Sequence, residues 1–431
     1  MTADDITAKP STAIWLGFAL MSVFFFHVVS TTFTSLGVVL PYMIEAQSWS
    51  WAEAGLGFSI LALVVGLASM VPVSLIRRSG IKLSMVIGGA AMIAGFVLLA
   101  TTSSLVQYFF GTGLAGFGYT LCSTVPGVHY INTKFAAANR SRLIGIYLTI
   151  GGLGGVFGPL LVTSVVSATG DWRTYWWVSA VITAALIVLA VILLNGDAGA
   201  SPADRADAEK AQEASASDWT YGEVVRCKQY YIIVAALTLT LLCGLTLNSW
   251  AVTHMKTLGV SATIAAGALS GHALINALSR ALGTALVTRV AAKWLLVSAL
   301  AAEAGGMVAL AYADRPLTIT LFGLGEGYGY GMCLFATTVL LVDYFGTSKN
   351  PEVFGLMHLI TTVAMIGPVF AGFVAERVGG FGPVFLGYGA VVFCVMLTVA
   401  TMTAPMRPQN ARKQETVERG GALAGEAEGQ A

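Results

Sequence analysis

The chain alternates long apolar runs with short polar breaks. Twelve runs stand out, at residues 13–40, 53–76, 82–102, 105–131, 142–168, 174–195, 229–253, 262–288, 294–313, 316–342, 352–375 and 383–404. A helix needs roughly 20 apolar residues to cross a bilayer, so each run predicts one transmembrane helix. The runs are continuous and not alternating, which sets them apart from the strands of a membrane barrel. Several exceed the crossing length, which allows tilt or extension past the headgroups. The expected fold class is therefore an all-α membrane protein with twelve spans. Trp49, Trp51, Trp172, Trp176, Trp177, Trp219 and Trp294 fall near the predicted ends, where interfacial anchors belong.

The polar positions inside these runs carry the chemistry. In the eighth run His272, Asn276, Arg280 and Thr284 recur every fourth residue, a slowly drifting stripe on one helix face. Arg280 is the only Lys or Arg that falls in neither a loop nor a membrane edge. A guanidinium at bilayer depth costs at least about 2.5–3.5 kcal/mol, so it must face protein, water or a ligand. It lies roughly 12 Å from the predicted end of its helix, so snorkelling to the interface or pairing with an acid are the structural alternatives. The ligand reading is an anion, because a guanidinium fork matches a planar carboxylate. Asn276, one turn away, can orient Arg280 or donate to the same ligand; an interhelical hydrogen bond is its bland role.

Glu326 sits roughly 15 Å into the tenth run, among glycines that let helices pack closely. It could be the counter-ion of Arg280, a proton carrier, or a neutral acid bonded between helices. Glu303, in the ninth run, is a weaker candidate. His27, midway through the first run beside Ser30, Thr31, Thr32 and Thr34, could relay a proton or could be a satisfied core histidine.

The breaks supply organisation. Residues 196–228 form the one long internal polar segment, rich in Ala, Asp and Glu, and divide six runs from six. The domain reading is an N-terminal segment at 1–12, a six-helix bundle at 13–195, a linker at 196–228, a second bundle at 229–404 and a tail at 405–431. The tail is polar, rich in Gly and Glu, and of a composition that stays disordered. With the N-terminus inside, the inner loops carry most of the Lys and Arg, among them Arg77, Arg78, Lys82, Lys134, Arg140, Arg142, Arg289 and Lys293. The outer loops hold only Arg173, Lys256, Arg315 and Arg377. That bias puts both termini in the cytoplasm. The segment before the first run lacks the basic start and cleavage site of a signal peptide, so the first run is expected to remain a span.

The two halves repeat. Gly116, Gly118, Tyr119 and Cys122 recur as Gly327, Gly329, Tyr330 and Cys333, an offset of 211. Arg78 and Lys82 map onto Arg289 and Lys293 at the same offset, and Gly158-Pro159 onto Gly367-Pro368 at 209. Agreement near one offset predicts two six-helix bundles related by a pseudo-twofold axis along the membrane normal. That axis should carry Tyr119 and Tyr330 toward one central cavity, where each could line a carboxylate site or simply pack. Arg280 and Asn276 map onto Ser69 and Val65, so the charge is not duplicated. The Gly-Pro pairs are expected kinks or close helix contacts.

On these residues the chain resembles the major facilitator superfamily. The loop Arg77-Arg-Ser-Gly80-Ile-Lys82 is similar to that superfamily's Gly-x-x-x-Asp-Arg-x-Gly-Arg-Arg loop, without its Asp. Within the superfamily it resembles the bacterial branch of the monocarboxylate and oxalate/formate porters. Two features carry this: the basic loop Lys134 to Arg142 leading into Gly151–Gly155, and Arg280, which occupies the place where such porters hold the substrate carboxylate. The branch's acidic-Gly-Gly-Trp signature in the first span is absent. Animal relatives have Asp where this chain has Asn276. The resemblance implies alternating access around one central site.

Composition narrows the rest. Charged residues make up 10% of 431, against roughly 25% in soluble domains, which fits a bilayer-embedded chain. A net charge of +1 argues against a nucleic-acid partner. The five cysteines show no metal-ligand or disulfide spacing, and neither a metal nor another cofactor is expected. No motif of an intramembrane enzyme is present. The expected function is secondary transport of a small organic monocarboxylate, lactate-like or pyruvate-like, by proton symport across a bacterial inner membrane, by a monomer. The rivals are organic-anion exchange and export of drugs or metabolites. Export of a metalloid would require Cys122 and Cys333 to converge.

Overall fold

The computed structural model describes residues 11–194, 219, 221–346 and 350–405. Those residues are helical with short connections, and no strand occurs among them. The helices are α1 (Thr12–Thr31), α2 (Phe33–Gln47), α3 (Trp51–Leu67), α4 (Val71–Ala100), α5 (Leu105–Cys122), α6 (Thr124–Lys134), α7 (Ala137–Thr169), α8 (Arg173–Leu193), α9 (Tyr221–Val224), α10 (Lys228–Thr257), α11 (Ala262–Leu286), α12 (Ala292–Ala311), α13 (Pro316–Phe345), α14 (Asn350–Thr361), α15 (Gly367–Val378) and α16 (Gly382–Thr401).

Nine helical stretches among the described residues are long and apolar enough to cross a membrane. One of them, Trp51–Ala100, turns at Gly80, whose φ of 81° is left-handed and favours glycine. That turn separates the second predicted span from the third. Two further predicted spans, α5–α6 and α11, fall outside the nine. The first is interrupted at Ser123, and the second carries the polar stripe through Arg280.

Local chemistry sets the helix ends. Ser50 starts α3 with a capping box: its hydroxyl accepts from Glu53 N at 3.2 Å while Glu53 Oε2 accepts from Ser50 N at 2.9 Å. Ser104 and Ser261 cap α5 and α11. Two spans of the N-terminal half break mid-membrane, at Thr32 between α1 and α2 and at Ser123 between α5 and α6. Carbonyls beside the breaks are satisfied by side chains, as apolar surroundings require. Tyr147 Oη donates to Ser123 O at 2.7 Å, and Tyr175 Oη to Ser30 O at 3.3 Å. In the C-terminal half, α10 and α13 run unbroken for 30 residues each.

The Gly-Pro pairs divide their roles. Gly158-Pro159 lies inside a continuous α7, with Gly158 close against the Ser30 carbonyl. Gly367-Pro368 starts α15 after a 3₁₀ stretch, Thr362–Ile366, and so marks a break. The tryptophan expectation needs correction. Trp172, Trp176 and Trp219 are buried against protein, whereas Trp177 and Trp294 stand exposed. Trp219, assigned to the linker, packs edge-on against Phe345 at 5.4 Å. The rest of that linker up to residue 218, residue 220, the first ten residues and the tail from 406 lie outside the described residues.

The halves meet at one end of the molecule, the end bearing residues 48–50, 258–261 and 379–381. There α2 packs on α10 and α3 on α15. Gly37 lies against the Asn248 carbonyl and Gly55 against that of Pro368, so backbones touch. Ala52 N donates to Glu376 Oε1 at 2.9 Å, Lys256 sits 4.4 Å over the Tyr42 ring, and Trp51 meets Phe381 at 4.9 Å. Nearer the middle, α7 packs along α11. Arg280 lies beyond this seal, toward the far end of α11, and is exposed.

Candidate functional site

The stripe on α11 is real, and two of its members are linked. Arg280 Nε donates to Asn276 Oδ1 at 3.2 Å, which fixes the guanidinium one turn from the amide. Asn276 itself is wedged against Gly331 of α13, where a side chain would collide with it. Arg280 makes no ion pair with any described carboxylate, and it stands exposed in the space beyond the seal where the halves meet.

Tyr119 of α5 and Tyr330 of α13 approach that space from opposite halves. Each hydroxyl lies within electrostatic reach of Arg280, and the two tyrosines act on each other. The repeat thus delivers its paired tyrosines near one another, with the unduplicated arginine close enough for its charge to act on both. Phe33, beside the break in the first span, packs edge-on against Tyr119 at 5.6 Å and completes this wall. No pattern in the chain marks Phe33 for this role. Its place depends on the turn at Thr32.

Glu326 is elsewhere. It is 0% exposed, and the charge that acts on it is the Glu303 carboxyl of α12, not Arg280. The counter-ion reading is therefore wrong in this structure. α13 turns this residue away from the gap and into the contact with α12. Glu303, rated lower from sequence, is its partner. Thr240 and Cys243 of α10 and Cys333 of α13 close around them. His27 also points away from Arg280. It is 7% exposed and its Nε2 lies 2.8 Å from Thr183 Oγ1 on α8, the arrangement of a satisfied core histidine. His272 is 3% exposed, stacked on Phe322, with neither ring nitrogen bonded to a described residue.

The cysteines that a metalloid route would need do not converge. Cys122 lies against the Met85 carbonyl in one half, and Cys333 against Thr240 in the other. Among the described residues no group of three or more His, Cys, Asp or Glu side chains is placed to hold a metal ion.

An embedded helical chain with a duplicated scaffold and a cation in the gap between its halves is built to move a solute. The profile of the Major Facilitator Superfamily matches residues 20–290 and again residues 232–427. The chain belongs to that superfamily. It is a multi-pass membrane transporter and not an enzyme. Two solved structures share its fold across nearly their whole length. A point mutant of the nucleoside transporter NupG superposes with a TM-score of 0.68 at 16% identity, covering 89% of this chain and 99% of that one. A D-xylose-proton symporter superposes with a TM-score of 0.66 at 18% identity, covering 90% and 97%. Comparison with curated protein sequences gives no match.

Proposed function

We propose that this transporter carries a small organic monocarboxylate, of the size of lactate or pyruvate, by proton symport with alternating access. The observation that carries the reading is Arg280: a guanidinium held by Asn276, without a carboxylate partner, between tyrosines from both halves. A bare cation inside a membrane protein calls for an anion. The substrate carboxylate would take the outer nitrogens of Arg280 as a fork, with the Tyr119 and Tyr330 hydroxyls donating to its remaining oxygens. An anion that travels with one proton crosses without net charge, which is the case for symport. That one fold neighbour is named a proton symporter agrees with such coupling, though the likeness concerns the scaffold. The bacterial monocarboxylate and oxalate/formate branch is the assignment we favour, on Arg280 and the basic loop before α7.

The reading includes a single-chain carrier in a bacterial inner membrane with both termini cytoplasmic, on the Lys and Arg bias of its loops. It takes 13–195 and 229–404 as the two bundles, joined by a linker at 196–228. Organic-anion exchange uses the same Arg280 and is the second reading; it predicts flux that requires an anion on both sides.

Uptake of labelled lactate and pyruvate into proteoliposomes, with and without an inward proton gradient, is the test. Arg280→Ala removes two charge-assisted bonds worth about 3 kcal/mol in all, so uptake should fall roughly 100-fold. If Arg280→Ala carries either acid as fast as the native chain, the carboxylate reading is wrong.

A further inference from the structure

Inside the C-terminal half, in the contact of α12 with α13, two carboxyl groups face each other. Glu303 and Glu326 are each 0% exposed. The helices bring them together reciprocally. The backbone of Glu326 lies against Gly306, and that of Glu303 against Gly329. A Cβ at Gly306 would stand 2.5 Å from Glu326 N, and one at Gly329 only 2.6 Å from Glu303 Cβ. This closeness fixes the register of α12 on α13 and leaves both acids enclosed.

Their oxygens are unequally served. Glu303 Oε2 accepts from the Thr240 hydroxyl at 2.7 Å, and the Cys243 thiol lies beside Glu303. Glu303 Oε1 and both oxygens of Glu326 have no described partner. No Lys, Arg or His among the described residues acts on either carboxyl. The titratable groups around them are the thiols of Cys243 and Cys333, the Tyr330 phenol and, on α11, the buried His272 ring, 6.3 Å from Tyr330 and with neither nitrogen bonded to a described residue. Two anionic carboxylates cannot share an enclosed apolar site without a cation. Three unpartnered buried oxygens with no cation call for the smallest positive ligand, a proton.

We propose that the Glu303–Glu326 pair is a proton-holding site, set apart from Arg280 and joined to it through Tyr330. The proposal rests on the carrier reading above and assigns its proton. In the loaded state both carboxyls are protonated and the pair is neutral. In the unloaded state one proton has left and the other stays on Glu326. The remaining negative charge rests on Glu303, where Thr240 donates. One O–H bond breaks and one proton departs, with no other reactant. Tyr330 is the link: it stands one helical turn from Glu326 on α13, and the charges of both carboxyls and of Arg280 act on its phenol. Anion on Arg280 and proton on the pair thus sense each other through one phenol. A neutral pair together with a neutralised arginine is the combination that can cross.

Infrared spectroscopy of the purified chain in lipid tests the site without knowledge of the substrate. The native chain at neutral pH should show a protonated-carboxyl stretch that resists rapid deuterium exchange. Glu326→Gln and Glu303→Gln should each remove part of it and shift the remainder. A native chain without that band, or a band indifferent to both substitutions, overturns the proposal. So does sodium binding, measured by calorimetry with sodium chloride, that vanishes in Glu326→Gln, because the pair would then hold a cation. In vesicles loaded with a pH-sensitive dye, lactate entry should acidify the lumen, and Glu326→Gln should abolish that signal. Unaltered acidification per lactate in Glu326→Gln also overturns it. If the native chain moves no lactate or pyruvate, the carboxylate reading fails alone, and the infrared measurement still decides the pair.

Discussion

The contact of α4 with α5 and that of α12 with α13 are the same piece of architecture built twice. A Cβ at Gly95 would stand 2.8 Å from Ala115 N, and one at Gly306 stands 2.5 Å from Glu326 N. Gly118 lies against Met92, and Gly329 against Glu303. All four correspondences share the offset of 211. Yet where the first contact holds Met92 and Ala115, the second holds Glu303 and Glu326. The backbone geometry is duplicated and the charge is not, as with Arg280, whose counterpart is Ser69. Duplication preserved what close packing demands and left the enclosed side chains free to diverge. The N-terminal half differs in the opposite way: its first and fourth spans break at Thr32 and Ser123, bringing Phe33 and Tyr119 together at the gap, while α10 and α13 stay continuous.

The largest expected effect comes from forcing the two contacts to be alike. Met92→Glu puts a carboxyl of similar length into the N-terminal contact, where no second acid, thiol pair or threonine is arranged to receive it. An unsatisfied buried carboxyl costs about 2–5 kcal/mol, so the melting temperature of the purified chain should drop clearly. Glu303→Met makes the reverse exchange and should leave thermal stability the same or higher, since it removes a buried polar group from an apolar surround. If both substitutions destabilise equally, the two contacts are not equivalent packing solutions and the comparison fails.

A second test separates the paired tyrosines. Tyr119 is acted on by Arg280 and Tyr330, whereas Tyr330 is acted on by Arg280 and by both carboxyls. Each phenol hydroxyl offered to a substrate carboxylate is worth about 1.5 kcal/mol, roughly a tenfold change in affinity. Tyr119→Phe should therefore raise the KM for uptake about tenfold and leave protons moved per substrate as they were. Tyr330→Phe should raise KM similarly and also lower that ratio. Equal behaviour of the two variants would mean that the phenol on α13 has no tie to the carboxyl pair.

How far the sequence could reach follows from which contacts are local. The spans, their glycine-rich faces and the repeat were legible because apolar run length and a constant offset are one-dimensional signals. The Arg280–Asn276 bond was legible for the same reason: residues four apart on a helix are neighbours. The meeting of Tyr119, Tyr330 and Arg280 was within reach once the repeat supplied its axis. The Glu303–Glu326 pair was not, because it depends on the register of two antiparallel helices and on which way each turns. Conversely, His27 looked promising because hydroxyl residues follow it. Of those hydroxyls, Thr31 bonds to the His27 carbonyl and Thr32 to that of Val28, Ser30 and Thr34 have no described partner, and the partner of His27 itself, Thr183, is remote in sequence.

The smallest expected effect is at that histidine, and it checks the boundary of the site. The bond from His27 to Thr183 closes locally, since the Thr183 hydroxyl donates its own hydrogen bond to Ser179 O at 2.7 Å. The chain ends there, at a backbone carbonyl already used by its helix, and leads neither to Arg280 nor to the carboxyl pair. His27→Gln loses at most one neutral hydrogen bond, about 1 kcal/mol of stability. Uptake rate and its dependence on the proton gradient should both stay within a factor of two of the native chain. A proton carrier could not be replaced so cheaply. Loss of gradient dependence in His27→Gln, with the melting temperature nearly unchanged, would move the proton path into the N-terminal half and take from the C-terminal contact the asymmetry argued for it.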